Sequence, residues 1–182
     1  MGIKFFKTPL KDVYEIDYYT HIDTRGFFTK IYSKDKLENI TNFSIKQVNV
    51  STSIKKGTFR GLHYQVGKYS EKKIVFCLQG QIRDFIVNIN KKSKDYLKTF
   101  SLDICSEKKN GILIPSSYAH GFLTMKKNTS VIYLHDREYN NASERGVRYN
   151  DPLINLKFPI NLTNISKKDK NYPNLSKDKN IL

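Results

Sequence analysis

Two cysteines are too few for a disulfide framework. Cys77 and Cys105 each stand inside an apolar run, so they read as buried thiols of a reducing cytoplasm rather than a cross-link or a metal site. No apolar run approaches the length of a membrane span, and the opening Met1-Gly2-Ile3-Lys4-Phe5-Phe6-Lys7 lacks the apolar core of a signal peptide. No membrane partner is expected. Acidic residues are scarce, 17 against 32 Lys and Arg, which leaves a net charge of +15. Such an excess draws any polyanion by long-range steering without choosing among them. The lysines are scattered with Asn and Ile, as in 91–98 and 164–180, and no Arg-rich cluster appears, so no nucleic-acid partner is expected. Helical periodicity is also rare: Ser33 to Asn39 reads as a short capped helix, the one convincing helix before the C-terminal tail.

Sheet formers fill the chain instead. Tryptophan is absent, but 12 Tyr and 11 Phe join many β-branched residues. The 182 residues suit one domain, 1–182, with a core over about 10–160 and a helical or irregular tail over 161–182. From Ile45 to Ser53 the pattern alternates, with Gln47, Asn49 and Ser51 on one face and Val48 and Val50 on the other. Residues 74–78 and 82–89, joined at Gly80, read as a hairpin buried on one or both faces. Further strands are expected at 97–105, 111–115, 121–125 and 129–135. Regular spacing with Gly, Asn and Lys turns points to a mainly β fold, a jelly-roll sandwich.

One stretch carries the chemistry. Gly57-Thr58-Phe59-Arg60-Gly61-Leu62-His63-Tyr64-Gln65 places a permanent cation and a tunable base in fixed relation on a short segment. That suits an anionic substrate with an acidic proton; the plain alternative is a strand whose Arg meets water and whose His makes one core hydrogen bond. Upstream, Asp23-Thr24-Arg25-Gly26 is a turn opening a strand, with Phe27 and Phe28 on opposite faces, where one ring could stack on a base or simply pack.

The spacing from Gly57 through His63, Gln65 and Lys73 to Gly80, followed by Gly111 to Phe122 with His120, resembles the paired motifs of the cupin jelly roll. Cupins hold a metal with two histidines and a glutamate from the first motif and a histidine from the second. Here the second-histidine position is Gln65 and the carboxylate position is Lys73. An ammonium in place of a carboxylate repels a cation, so neither metal nor cofactor is expected.

A narrower resemblance covers about residues 10 to 175. Asp23-Thr-Arg25-Gly26-Phe27, Gln47-Val-Asn49-Val-Ser51, Arg60-Gly-Leu-His63-Tyr-Gln65, Lys73-Ile-Val, Ile114-Pro115-x-x-Tyr118-Ala119-His120-Gly121-Phe122 and Asn150-Asp151-Pro152 match in order the dTDP-4-dehydrorhamnose 3,5-epimerase family. The resemblance implies a homodimeric jelly roll, free of metal and cofactor, that inverts the carbons flanking the ketone of a nucleotide-linked 4-keto-6-deoxy sugar. Such chemistry needs a base near neutral pKa, a cation at the developing oxyanion and an acid on the opposite face. By resemblance His63 is the base, paired with Asp169; Lys73 sits by the enolate oxygen; Tyr133 returns the proton. His120 bonds to substrate and Tyr139 lines the sugar pocket. Arg25 and Arg60 clamp the diphosphate, Gln47 and Asn49 face the same cavity, and Phe27 stacks on the base.

Three departures accompany the match. Lys30 stands where the family usually has a glutamate, Glu71 where it usually has a glutamine, and Val66 to Ser70 replace a proline-rich loop. These leave open a single-carbon relative acting on a GDP-linked 4-keto heptose or deoxysugar, and a non-catalytic nucleotide-sugar-binding jelly roll.

Overall fold

The computed structural model describes residues 2–175. The strands and helices run β1 (Lys4–Lys7), β2 (Tyr14–Asp17), β3 (Thr20–Asp23), β4 (Gly26–Thr29), α1 (Lys34–Glu38), β5 (Gln47–Ser53), β6 (Thr58–Gln65), β7 (Lys73–Gln79), β8 (Gln81–Asn88), β9 (Thr99–Cys105), β10 (Asn110–Ile114), β11 (Tyr118–Thr124), β12 (Thr129–His135), β13 (Glu144–Gly146), β14 (Asn164–Ile165) and α2 (Lys167–Asn171). Two sheets face each other. One has the order β1-β2-β10-β7-β12-β5 and the other β13-β6-β11-β8-β9, with β14 added parallel to β6. The mainly β sandwich expected from the turn spacing is the fold.

The apolar runs of the central strands are continuous because those strands are covered on both sides. Between the sheets, Val75, Cys77, Ile112 and Val131 of the first meet Ile82, Ile86, Ile104 and Phe122 of the second. Behind the first sheet, Ile74, Phe76, Leu113 and Leu134 pack under Leu37 of α1 and Phe43. Behind the second, Phe59, Phe85, Val87 and Leu123 pack under the C-terminal segment through Ile154, Phe158 and Leu175. Each such side chain, fully buried, is worth about 1.5–3 kcal/mol. Both cysteines are free and buried.

Two expectations change, and the tail gains a role. Residues 74–78 and 82–89 do not form a hairpin: β7 pairs with β10 and β12, while β8 pairs with β9 and β11. Both strands are buried on both faces, so each needs partners on either side, and the turn at Gly80, with φ of +83°, carries the chain from one sheet to the other. Ser33 does occupy the N-cap of α1, but its side chain makes no capping bond. The tail is integral: β14 pairs with β6 and α2 packs beside it, while residues 176–182 of the expected tail lie outside the described residues.

Candidate active site

Polarity changes along the inner face of the first sheet. Antiparallel register puts Val131 beside Cys77 and Ser51, Tyr133 beside Val75 and Asn49, and His135 beside Lys73 and Gln47. Directly paired residues share a face. The inner surface therefore passes from apolar core to hydroxyl, phenol, imidazole and ammonium within four residues of β12. At that polar end a cavity of about 560 Å³ opens between the sheets, lined on this side by Asn49, Lys73, Tyr133 and His135.

The opposite wall comes from β6 and β11, where His120 pairs with His63 across a bulge. Two glycines permit the approach. A Cβ on Gly61 would lie 2.5 Å from Gly121 Cα, and one on Gly121 would lie 2.7 Å from the Arg60 carbonyl oxygen, so only glycine fits at either position. His63 Nε2 lies 2.8 Å from Asp169 Oδ1, and the other carboxylate oxygen accepts the Gly61 N–H at 3.2 Å. Asp169 is placed by α2, whose N-cap Ser166 accepts the Asp169 N–H at 3.0 Å. Burial opposes ionisation of Asp169, but the bonds from His63, Gly61 and Ser166 outweigh it and hold the carboxyl below its ordinary range. With Nε2–H given to the carboxylate, His63 keeps its Nδ1 lone pair for another proton. Tyr172 meets the His63 ring edge-on at 5.7 Å.

Lys73 and Glu71 are almost fully buried, 2.7 Å apart from Nζ to Oε1. The second oxygen of Glu71 is 3.0 Å from His135 Nδ1 and accepts from Gln65 Nε2 at 3.1 Å. Burial alone would raise the Glu71 carboxyl; the Lys73 ammonium and His135 bring it down to about 2. Tyr133 lies over His135 with ring centroids 6.0 Å apart. Burial first, and then the Asp84 carboxylate, push its phenol well above the ordinary range, so it stays protonated. His120 is buried against Asp84 at 2.7 Å and lines the cavity.

The residues singled out from sequence divide into two groups. His63, Lys73, Tyr133, Asp169, Asn49, Arg60, His120 and Tyr139 line one cavity. Arg60 stands at its exposed side, donating to Ser53 Oγ at 3.2 Å. Tyr139 donates to Glu144 at 2.6 Å, and the Lys168 ammonium reaches the same carboxylate. Four others are not brought into that cavity within one chain. Gln47 faces the right way, but its side-chain oxygen accepts the Tyr139 N–H at 2.7 Å. Arg25 is exposed and forks onto Asp23, the Phe27 ring carries the Lys109 ammonium 3.6 Å from its centroid, and Lys30 follows the same hairpin. The reason is topological: β3 and β4 pair only with each other and stand off the sandwich.

Sequence reasoning left Glu144, Lys168, Tyr172, Asp84 and His135 without a role. Only Glu71 gave a signal, as a carboxylate where a glutamine is usual. At the position equivalent to a cupin ligand, Gln65 donates to Glu71 and its oxygen accepts the Asn140 N–H at 2.6 Å. Among the described residues no three His, Cys, Asp or Glu side chains come together as a metal-holding group.

The family model described as dTDP-4-dehydrorhamnose 3,5-epimerase matches residues 7–177. The chain belongs to this family. It is 32% identical over 167 residues to the Shigella flexneri enzyme of that name, covering 91% of this chain and 92% of the relative. The crystal structure of the Bacillus anthracis dTDP-4-dehydrorhamnose 3,5-epimerase with TDP and pyrophosphate bound superposes with a TM-score of 0.92 at 32% identity, covering 96% of this chain and 100% of that one. A Legionella pneumophila dTDP-6-deoxy-D-glucose-3,5-epimerase in complex with dTDP-4-keto-L-rhamnose gives 0.91 at 27% identity, covering 96% and 94%. Membership makes this dTDP-4-dehydrorhamnose 3,5-epimerase family member an isomerase-type enzyme.

Proposed function

We propose that the enzyme inverts C3 and C5 of a dTDP-linked 4-keto-6-deoxy sugar without a metal, through an enolate. The observation that carries this reading is the placement of a His–Asp pair on one sheet and a cation and a phenol on the other, facing a single cavity. A carbon beside a ketone loses a proton readily only when the charge reaching oxygen is stabilised. His63 Nδ1 removes the proton, and Asp169 holds the imidazolium that results. Lys73 stands on the wall where the oxyanion forms, and His120, fixed by Asp84, bonds to the sugar. Tyr133 delivers a proton from the opposite wall, which sets inversion rather than return. Arg60 holds the diphosphate at the exposed side of the cavity.

A homodimer accompanies this reading. Ile22, Phe27 and Phe28 of the β3–β4 hairpin are 66 to 75% exposed, and Val48 and Val50 line the outer face of the edge strand β5. A second copy that covers these surfaces would also bring Arg25, Phe27 and Lys30 toward a substrate. Two buried free thiols suit a reducing cytoplasm. Incubation with dTDP-linked and GDP-linked 4-keto-6-deoxy sugars, with inversion followed by NMR coupling constants, tests the reading. Turnover of the dTDP-linked sugar is expected. Turnover of the GDP-linked sugar alone would change the substrate, and tight binding without inversion would return the chain to a non-catalytic binding module.

A further inference from the structure

Besides His63–Asp169 and His120–Asp84, the cavity holds a third histidine–carboxylate pair, His135–Glu71, with no role in the proposed epimerisation. His135 Nδ1 donates to Glu71, so its Nε2 is the nitrogen left for the cavity, where the Asn49 amide nitrogen, at the limiting distance of 3.5 Å, donates to it when the ring is neutral and must turn away when Nε2 takes up a proton. Tyr133 and His135 are alternate residues of β12, on one face, stacked 6.0 Å apart on the wall opposite His63. A ketone flanked by two invertible carbons needs a proton delivered at each from the wall opposite the base. That wall carries two rings side by side, a phenol and an imidazole.

We propose that this enzyme uses a separate acid for each carbon, Tyr133 for one and the Glu71-supported imidazolium of His135 for the other. The assignment rests on the epimerase reading and extends it. Charge explains why Glu71 and His135 belong together. A carboxylate 2.7 Å from the Lys73 ammonium cancels the cation that an enolate requires, a loss that a glutamine in its place would not cause. Protonated His135 restores a net charge of +1 to the group of Lys73, Glu71 and His135. When that proton leaves, the group becomes neutral at the moment the enolate is quenched.

The step balances. His63 Nδ1 takes the C–H proton as the electron pair moves through carbon to oxygen. The Nε2–H bond of His135 then breaks and a C–H bond forms on the opposite face, as the enolate pair returns and the ketone is restored. His135 remains neutral with Nδ1–H on Glu71, and His63 remains protonated. One proton passes from His63 to solvent and one from solvent to His135 before the next cycle.

The test is turnover of the dTDP-linked 4-keto-6-deoxy sugar in heavy water, with exchange and inversion read separately at C3 and C5. His135→Asn should still exchange at both carbons but invert one of them at least about 100-fold more slowly, within the usual range for a general acid. Tyr133→Phe should show the same defect at the other carbon. Glu71→Gln should slow inversion at the His135-dependent carbon. The unaffected carbon in each variant reports an intact fold, and His135→Gln repeats the measurement should His135→Asn fail to fold. Equal losses at both carbons would make the pair structural, and no loss would remove His135 from the reaction. Wild-type exchange at a single carbon would overturn the two-acid assignment alone. Exchange at neither would overturn the epimerase reading and this assignment with it.

Discussion

The buried Glu71 carboxylate is held at about 2 by Lys73 and His135, against burial that would raise it. Its folded value lies below that of the unfolded chain, so it contributes stability that is present above about pH 4.5 and lost as pH falls toward 2. The shift corresponds to about 3 kcal/mol. Glu71→Gln should therefore lower the melting temperature at pH 7 and approach the wild type at pH 3, in thermal unfolding followed by circular dichroism. An equal gap at both pH values would mean that Glu71 is not ionised in this group. Little of this was legible in the sequence. His63, Lys73, Tyr133 and Asp169 were singled out because they match a family's motifs, and they line one cavity. The Glu71–His135 contact joins residues 64 apart through side chains alone, and neither flanking pattern announces it.

At the scale of elements, β6 and β11 fix the site because two glycines let their backbones meet. Gly121→Ala places a methyl 2.7 Å from the Arg60 carbonyl oxygen, a backbone atom that cannot rotate away. Overpacking of this kind costs about 1–3 kcal/mol. The strands must separate, and with them His120 and His63, so activity should fall further than stability alone explains. Unfolding and kcat measured on one preparation would show this, and wild-type kcat with only a lowered melting temperature would contradict it. The strands from β5 to β12 were legible because turn residues bound alternating or continuously apolar runs, whereas β1, β2 and β13, of three or four residues, were not read. Pairing was not: the runs 74–78 and 82–89 have the form of a hairpin, yet burial on both faces lets each take other partners. In the expected helical or irregular tail, α2 is the helical part and places Asp169, while the two-residue β14 is too short to leave a periodic signature.

At the scale of the whole molecule, Ile22, Phe27 and Phe28 of the hairpin and Val48 and Val50 of the edge strand are exposed apolar side chains that the proposed second copy would cover. Large exposed apolar patches mark interaction sites. Ile22→Asp combined with Phe28→Asp should leave the sandwich folded and shift a dimer to monomer in analytical ultracentrifugation. An unchanged mass would move the interface elsewhere, and a monomeric wild type would remove the dimer. Arg25 and Phe27 were read from sequence as substrate contacts because their motif matches, and Lys30, a departure from that pattern, was placed with them by position. A single chain places them outside its own cavity, and an assembly is invisible to the pattern of one strand.

The most direct test of the account is solvent deuterium incorporation into a dTDP-linked 4-keto-6-deoxy sugar in heavy water, wild type against His63→Ala. The wild type should incorporate deuterium at C3 and C5, and His63→Ala should lose both by at least about 100-fold, within the range expected for a general base, while nucleotide-sugar binding stays nearly unchanged. Exchange by His63→Ala at the wild-type rate would contradict the central claim that this imidazole, held by Asp169, removes the proton.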